Sequence, residues 1–306
     1  MFARIWILYQ SRGIVGELKR WDEYRLTSTL DEALTLLAQF GTHARIVAGG
    51  TDLVLAIEEG RISGVETLVD ISRLQELKTI QEDHDSITIG AGITLTELIQ
   101  SKVVHANSPI LFEAAGLIAG RQIRNIATVG GNVINASPAA DLIPAFLVLE
   151  STVLIAGSDG AKRETPLADF LQGVRKVDLR VGELVVGFRF KRPASDALMR
   201  FHKVQLRRAM AISLINLAIY LRVDAGLLSD VRIAMGAVAP TALRLQALEQ
   251  ALTGMRVTEV GKFSFRKFLQ ADIAPISDFR SSSDYRFNVA ERLLEAEIQG
   301  LMTGAI

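Results

Sequence analysis

The sequence contains no cysteine. That absence removes disulfides, cysteine-ligated zinc, iron–sulfur clusters and any cysteinyl nucleophile or flavin link. Histidine is scarce, and His43, His84, His105 and His202 stand far apart with no metal-ligand spacing, so no metal site is expected. Neither sign of charge is in excess: Lys plus Arg and Asp plus Glu number 34 each, leaving no net field to hold nucleic acid or an anionic membrane surface. Long hydrophobic runs are missing as well. The most apolar stretch, Ala209 to Leu221, is interrupted by Ser213 and Asn216 and falls short of the ~20 residues that cross a bilayer. The apolar start, Met1 to Tyr9, is broken by Arg4 and no small-residue cleavage pattern follows it, so a cytoplasmic location is expected. Two common phosphate-binding signatures are absent too. There is no Gly-x-x-x-x-Gly-Lys-Ser/Thr loop, and Gly90-Ala91-Gly92 lacks the third glycine and the helix of a dinucleotide fingerprint. Nucleophilic hydrolase motifs are also missing. Redox chemistry in such a chain has to be carried by an organic cofactor.

What the chain does have is two glycine pairs, each between an apolar strand-like run and a helix start: Ala48-Gly49-Gly50-Thr51-Asp52-Leu53 and Thr128-Val129-Gly130-Gly131-Asn132. A backbone that must approach a diphosphate closely, with amides facing it and no Cβ in the way, uses this chemistry. Each pair is followed by a hydroxyl or amide side chain and then by an acid, Asp52 or Asp141. A long phosphate-bearing ligand held from two sides is the reading that joins them. A single Gly-Gly-Thr-Asp turn also serves plain structure. The stretch from Thr128 through Asn135 and Ser137 to Asp141 is denser in small and polar residues, and reads either as donors facing something polar or as an extended loop with a helix cap.

The organisation is mixed α and β. At 306 residues, two or three units are expected. Leu30 to Phe40 has helical spacing and stops at Gly41. Arg45 to Ala48 and Val65 to Ile71 read as strands around a helix from Leu53 to Glu58, capped by Thr51 or Asp52, a unit that supports a parallel sheet. Ser86 to Ile89 alternates as a strand, and Thr94 to Glu97 is a capping box. Helices are expected from Ser108-Pro109 to about Ala119 and from Ser137-Pro138 through Leu149. Gly157 to Gly160 marks a hairpin turn, and Glu183 to Phe190 is a strand. Pro193 to Asp196 reads as a linker. Beyond it, strands at Arg200 to Gln205, Ser213 to Val223 and Val231 to Val238 precede helices at Leu243 to Leu252, Phe263 to Leu269 and Tyr285 to Gln299. On composition alone, Lys203 is an exposed strand lysine and Arg207-Arg208 a solvated loop. Arg121 and Arg124 either contact phosphate or cover a surface.

Three stretches carry a family resemblance: Ala48 to Leu53, Gln122 to Asn132, and Asn135-Ala136-Ser137-Pro138-Ala139-Ala140-Asp141. They resemble the FAD-binding medium subunit of molybdenum hydroxylases, the group of carbon monoxide dehydrogenase and bacterial xanthine dehydrogenase flavoproteins. The resemblance continues through Gly182-Glu183-Leu184-Val185, Lys203 with Ala209 to Ser213, Ala234 to Pro240, and Asp278-Phe279-Arg280-Ser281 with Tyr285-Arg286. It implies an α+β fold: a two-part FAD-binding fold of the vanillyl-alcohol-oxidase-like type (1–78 and 79–195) and a C-terminal domain (196–306) of a small antiparallel sheet with helices. Residues 1 to about 20 precede the family's usual start and are given no role.

The resemblance also implies roles. Ile46, Val47, Ala48, Gly49, Gly50, Thr51, Asp52 and Leu53, with Ala127, Thr128, Gly130, Gly131, Asn132, Ile134 and Asn135, would wrap the FAD diphosphate and ribityl chain. Asp141 would hydrogen-bond a sugar hydroxyl, Leu184 and Val185 would lie against the isoalloxazine, and Lys203 would sit near its pyrimidine edge. No acid, base or nucleophile is expected beyond the flavin. The implied activity is that of an oxidoreductase: electrons pass from a molybdopterin-binding large subunit, through an iron–sulfur small subunit, to FAD here and on to an acceptor, in an assembly implied to be a dimer of heterotrimers. A self-contained FAD-dependent oxidoreductase is the alternative.

Overall fold

The computed structural model describes residues 20–207 and 210–303; the apolar start Met1 to Tyr9, the rest of residues 1–19, Arg208 and Ala209 lie outside the described residues. Among those described, no helix is long and apolar enough to cross a membrane.

The first unit is a parallel sheet. Strand β1 (Glu23–Leu26), helix α1 (Leu30–Phe40), strand β2 (Ala44–Val47), helix α2 (Leu53–Glu58) and strand β3 (Thr67–Asp70) give the strand order β1-β3-β2. All four residues of the central β3 are buried, as a parallel strand covered on both faces requires. Helix α1 starts where the Thr29 side chain accepts the Glu32 amide and ends at Gly41, whose φ of +54° lets its amide turn back to the Leu37 carbonyl. Ala33, Leu34 and Leu37 form its buried face, and the same core takes Ala156 and Leu184 from the second unit. Strand β1 was not legible in the sequence because Glu-Tyr-Arg-Leu lies on the outer edge, largely exposed, with no apolar alternation to betray it.

The second unit is an antiparallel sheet of order β4-β5-β10-β6-β7, built from β4 (Ile80–Glu82), β5 (Ser86–Gly90), β6 (Thr152–Gly157), β7 (Lys162–Pro166) and β10 (Glu183–Lys191). A small ribbon, β8 (Leu171–Gly173) with β9 (Lys176–Val177), precedes β10. Between β5 and β6 run helices α3 (Leu95–Gln100), α4 (Pro109–Gly116), α5 (Val129–Ile134) and α6 (Leu142–Val148). The capping box of α3 forms as its sequence requires: Thr94 Oγ1 accepts from the Glu97 amide at 3.2 Å, and the Glu97 carboxylate accepts from the Thr94 amide at 2.7 Å. Every residue of α6 is buried, and Phe146 stacks on Phe188 of β10 with ring centroids 5.1 Å apart.

The third unit is the antiparallel sheet β11 (Leu198–Gln205), β12 (Ser213–Asp224), β13 (Leu227–Gly236), β14 (Leu243–Arg244), with helices α7 (Gln246–Leu252), α8 (Arg266–Asp272) and α9 (Ser283–Thr303). Strand β12 is apolar on both faces for a reason. Ile215, Leu217, Ile219 and Leu221 pack with the three helices, whereas Ala218 and Tyr220 join the core of the second unit around α6. The FAD-like half and the C-terminal sheet therefore share a core.

Phe146 sits at that junction with no exposure. Phe146→Ala is expected to lower the unfolding free energy by about 3–5 kcal/mol, the usual loss for a large buried aromatic, as read from urea midpoints at unchanged slope.

Candidate functional site

The two glycine pairs meet. Ile46 and Val47 end strand β2, and Ala48 to Asp52 form the loop into α2, turning at Gly50 with φ +69°. Among the described residues the amides of Gly49, Gly50, Thr51 and Asp52 donate to no protein acceptor. Asp52 occupies the N-cap position of α2, but its side chain makes no capping bond, so the expected cap is absent. At Gly49 a Cβ would stand 2.1 Å from the Ile126 carbonyl oxygen and 3.0 Å from the Ala127 Cα. Glycine is required there because one loop rests directly on the backbone leading into the other.

The second stretch uses its amides differently. Thr128 caps α5, accepting the Gly131 amide at 3.0 Å, while the amides of Val129 and Gly130 donate to the carbonyls of Ile93 and Ala91 at 2.8 and 2.9 Å. A Cβ on Gly130 would meet that Ala91 oxygen at 2.8 Å. This glycine pair thus seats α5 against the Ala91–Ile93 segment, and the expectation that its amides lie open toward a ligand is corrected at Gly130 and Gly131. The side chains around it reach outward along the chain. Asn132 Oδ1 accepts from the Leu142 amide at 3.3 Å, Asn135 Oδ1 accepts from Arg175 at 2.7 Å, and half-buried Ile134 leans on the core of the second unit.

Next to Leu142 lies a buried polar cluster. Lys203 Nζ of β11 donates to Asp141 Oδ2 at 2.7 Å, and only 2% of the Lys203 side chain and 6% of that of Asp141 are exposed. The other carboxylate oxygen accepts from Ser213 Oγ at 2.5 Å and Asn216 Nδ2 at 2.8 Å, both on β12. Lys203 is therefore no exposed strand lysine. A buried charge is kept only when paired and hydrogen-bonded, and here three donors from the C-terminal sheet converge on one carboxylate of the FAD-like half. Ser213 and Asn216 were not assigned from sequence, although two polar residues in an otherwise apolar strand were the signal.

The same network explains two helices that are shorter than expected. The helix begun at Pro109 stops at Gly116, short of Ala119, because the Leu117 carbonyl accepts from Lys203 Nζ at 3.1 Å and those of Ile118 and Ala119 from Arg124 at 2.9 Å each, with Ala119 at φ +46°. The helix expected from Pro138 starts at Leu142, because the Pro138 carbonyl accepts the Ala237 amide at 2.7 Å and the Ala140 carbonyl accepts Asn216 Nδ2 at 3.2 Å. Arg124 is thus engaged with backbone, while Arg121 is exposed. Beside Leu117, a cleft of about 350 Å³ is lined by Gly116, Gly120, Arg121, Arg124, Gln205 and Met210. Arg207 is exposed on the loop and donates to the Met210 carbonyl.

Leu184 and Val185 are each 1% exposed and fill two different cores on opposite faces of β10. Their strand is anchored at Glu183, which takes a two-pronged hydrogen bond from Arg163 at 2.8 Å per contact. Those hydrogen bonds hold the Glu183 carboxyl below its ordinary range, outweighing the opposing effect of burial. Among the described residues no cluster of His, Cys, Asp or Glu could hold a metal ion.

Known proteins align with this geometry over nearly its whole length. Residues 20–192 match the family model described as FAD binding domain in molybdopterin dehydrogenase, and residues 200–299 that of the CO dehydrogenase flavoprotein C-terminal domain. The chain is 33% identical over 285 residues to the xanthine dehydrogenase FAD-binding subunit of Escherichia coli O157:H7, covering 92% of this chain and 96% of that one. It is 31% identical over 273 residues to the carbon monoxide dehydrogenase medium chain of Hydrogenophaga pseudoflava, covering 89% and 94%. Among solved structures, carbon monoxide dehydrogenase from Hydrogenophaga pseudoflava superposes with a TM-score of 0.85 at 30% identity over 92% of this chain and 96% of that one. Quinoline 2-oxidoreductase from Pseudomonas putida 86 gives 0.84 at 27% identity over 93% and 98%.

The buried pair yields a stability test. Lys203→Met leaves the buried Asp141 carboxylate without its counter-charge, with Ser213 and Asn216 its remaining donors, and is expected to destabilise the fold by about 3–5 kcal/mol, whereas Lys203→Met with Asp141→Leu recovers part of that loss. Denaturant titration of the two variants beside the parent checks this.

Proposed function

Because the chain belongs to the FAD-binding medium subunits of the carbon monoxide dehydrogenase and xanthine dehydrogenase family of molybdenum hydroxylases, we propose that it passes electrons from iron–sulfur clusters on a partner subunit to an external acceptor through its FAD. It is an oxidoreductase flavin subunit, and its FAD supplies the chemistry of accepting and releasing electrons. Medium chains of carbon monoxide dehydrogenase have large and small companions by name. Here those companions are read as a molybdopterin-binding large subunit and an iron–sulfur small subunit, assembled as a dimer of heterotrimers. The composition supports that division, since a chain without cysteine supplies no cluster ligands of its own.

The residues suit the cofactor. Four consecutive amides, Gly49 to Asp52, which among the described residues have no protein acceptor, offer donors to a diphosphate. From there a run of contacts leads through Ile126 and Ala127, Asn132 and Leu142 to Asp141 and Lys203. The observation that carries the reading is this run, with free amides at one end and a buried ammonium at the other. With FAD bound, Ile46 to Leu53 and Ala127 to Asn135 would hold the diphosphate and ribityl chain, the Leu184–Val185 strand would back the ring, Asp141 would hydrogen-bond a sugar hydroxyl, and Lys203 would supply a cation near the pyrimidine edge. A cation there stabilises the negative charge that a reduced flavin carries over N1 and the C2 carbonyl. Asp141 tempers that cation by pairing with it.

Two measurements test the assignment. The purified chain is expected to hold one FAD, and Gly50→Val to lose it, because a branched side chain is strained at φ +69° and re-aims the free amides; full occupancy in that variant removes the first loop from the site. Second, Lys203→Ala and Asp141→Asn are expected to move the flavin potential in opposite directions. Losing the ammonium lowers it by roughly 20–65 mV, from a contact of about 1–3 kcal/mol converted at ~30 mV per 1.4 kcal/mol, and losing the carboxylate raises it. Spectroelectrochemical titration reads both, and shifts of one sign would place Lys203 away from the ring.

A further inference from the structure

Asp278, Arg280 and Arg286 belong to the stretch that resembles the family, yet nothing in FAD binding as described above uses them. Arg286, near the start of α9, heads the fully buried side chains in size and is 1% exposed. A guanidinium closed off from water is held by protein acceptors, and here they take up Nη1 and Nη2 while Nε, among the described residues, finds none. Its Nη1 donates to the carbonyls of Leu214 and Ala237 at 3.1 Å each, and its Nη2 to Asp278 Oδ1 at 2.9 Å. The second oxygen of Asp278 accepts Arg280 Nε at 3.0 Å and Nη2 at 2.5 Å. Burial alone would push the Asp278 carboxyl up, but the hydrogen bonds from Arg280 and Arg286 hold it well below the usual carboxylate range. A carboxyl depressed in this way contributes stability that is full above its unfolded pKa and is lost progressively as pH falls from there through the folded one, and the clamp keeps its charge at neutral and mildly acid pH.

The two carbonyls that Arg286 grips are placed tellingly. Leu214 follows Ser213, whose hydroxyl holds Asp141. Ala237 has a left-handed φ of +63°, and its own amide holds the Pro138 carbonyl. Between them, Gly236 admits no side chain, since a Cβ would stand 2.2 Å from Asn216 Oδ1 and 2.9 Å from the Pro138 oxygen. Apart from Lys203 itself, on β11, each contact by which the C-terminal unit grasps the Pro138–Asp141 loop, through Ser213, Asn216 and the Ala237 amide, thus lies within two residues of a carbonyl fixed by Arg286.

We infer that Arg286, oriented by Asp278, is a positioning residue for the Lys203–Asp141 pair: by fixing the carbonyls of Leu214 and Ala237 it sets the grip of Ser213 and the Ala237 amide on the Pro138–Asp141 loop, and hence where the Lys203 ammonium stands. The inference rests on the proposed place of Lys203 at the pyrimidine edge of FAD.

The experiment compares the full chain with Lys203→Ala, Arg286→Met, Arg286→Lys and the double variant Lys203→Ala/Arg286→Met. Flavin potential is read on the FAD-loaded proteins, and hydrogen exchange at the Ala237 amide on the FAD-free ones. Arg286→Met is expected to lower the potential in the same direction as Lys203→Ala and to speed Ala237 exchange at least tenfold. Arg286→Lys should restore part of both, and the double variant should match Lys203→Ala alone. Should Arg286→Met not fold, Asp278→Asn loosens the same guanidinium without removing it and is read in the same way. A variant with faster exchange but the parent's potential, or a double variant whose shift is the sum of the two, overturns the inference and leaves the reading of Lys203 intact. A parental potential in Lys203→Ala itself overturns that reading, and the inference with it.

Discussion

The buried ion pair between Asp141 and Lys203 is the constraint on which the rest of the molecule turns. It joins a loop of the FAD-like half to the first strand of the C-terminal sheet, and almost none of either side chain meets water. Charges so placed are tolerated only with their hydrogen-bonding capacity filled. Filling it recruits Ser213, Asn216 and the Leu117 carbonyl, and each recruit fixes a segment of backbone. The apolar contacts behind the pair would permit the two units to slide; the geometry of the donors does not.

Several departures from regular structure have this one origin. The carbonyls of Leu117, Pro138 and Ala140 could each have continued a helix, and each is instead taken by a donor from the C-terminal unit. Ala119, Ala136 and Ala237 adopt positive φ around these breaks, a conformation that a non-glycine residue holds only when its surroundings over-determine it. Strain gathers where a polar group must be delivered to one place, and the surrounding helices and strands remain ordinary.

That pattern also explains what could be read from the sequence. Helix α1, the capping box at Thr94 and the hairpin at Gly157 to Gly160 follow from neighbours within a few residues, and they were legible. The glycine pairs were legible as special but not in their division of labour. Gly49 and Gly130 are glycines because another backbone lies against them, and among the described residues the glycine amides of the first pair find no acceptor whereas those of the second pair do. Lys203 was misread on composition, and one helix was run too far and another begun too early, because the deciding partners lie far away in the chain. No periodicity of 2 or 3.6 encodes a lysine that ends a helix 86 residues upstream. The family resemblance singled out Asp141 and Lys203 together, but not that they touch.

The core of the first unit has a consequence for the order in which the chain comes off the ribosome. Residues 20–78 contribute α1 and the three parallel strands, but the hydrophobic cluster they enclose is completed by Ala156 and Leu184. Until the strand carrying Leu184 has been made, a nascent chain holds a small sheet with part of its apolar floor uncovered, a non-local closure of the slow kind. The loop at Gly49, braced by the backbone of Ile126 and Ala127, likewise waits for chain beyond the first unit. The two glycine loops thus reach their final arrangement only once a chain well past the first unit has been made.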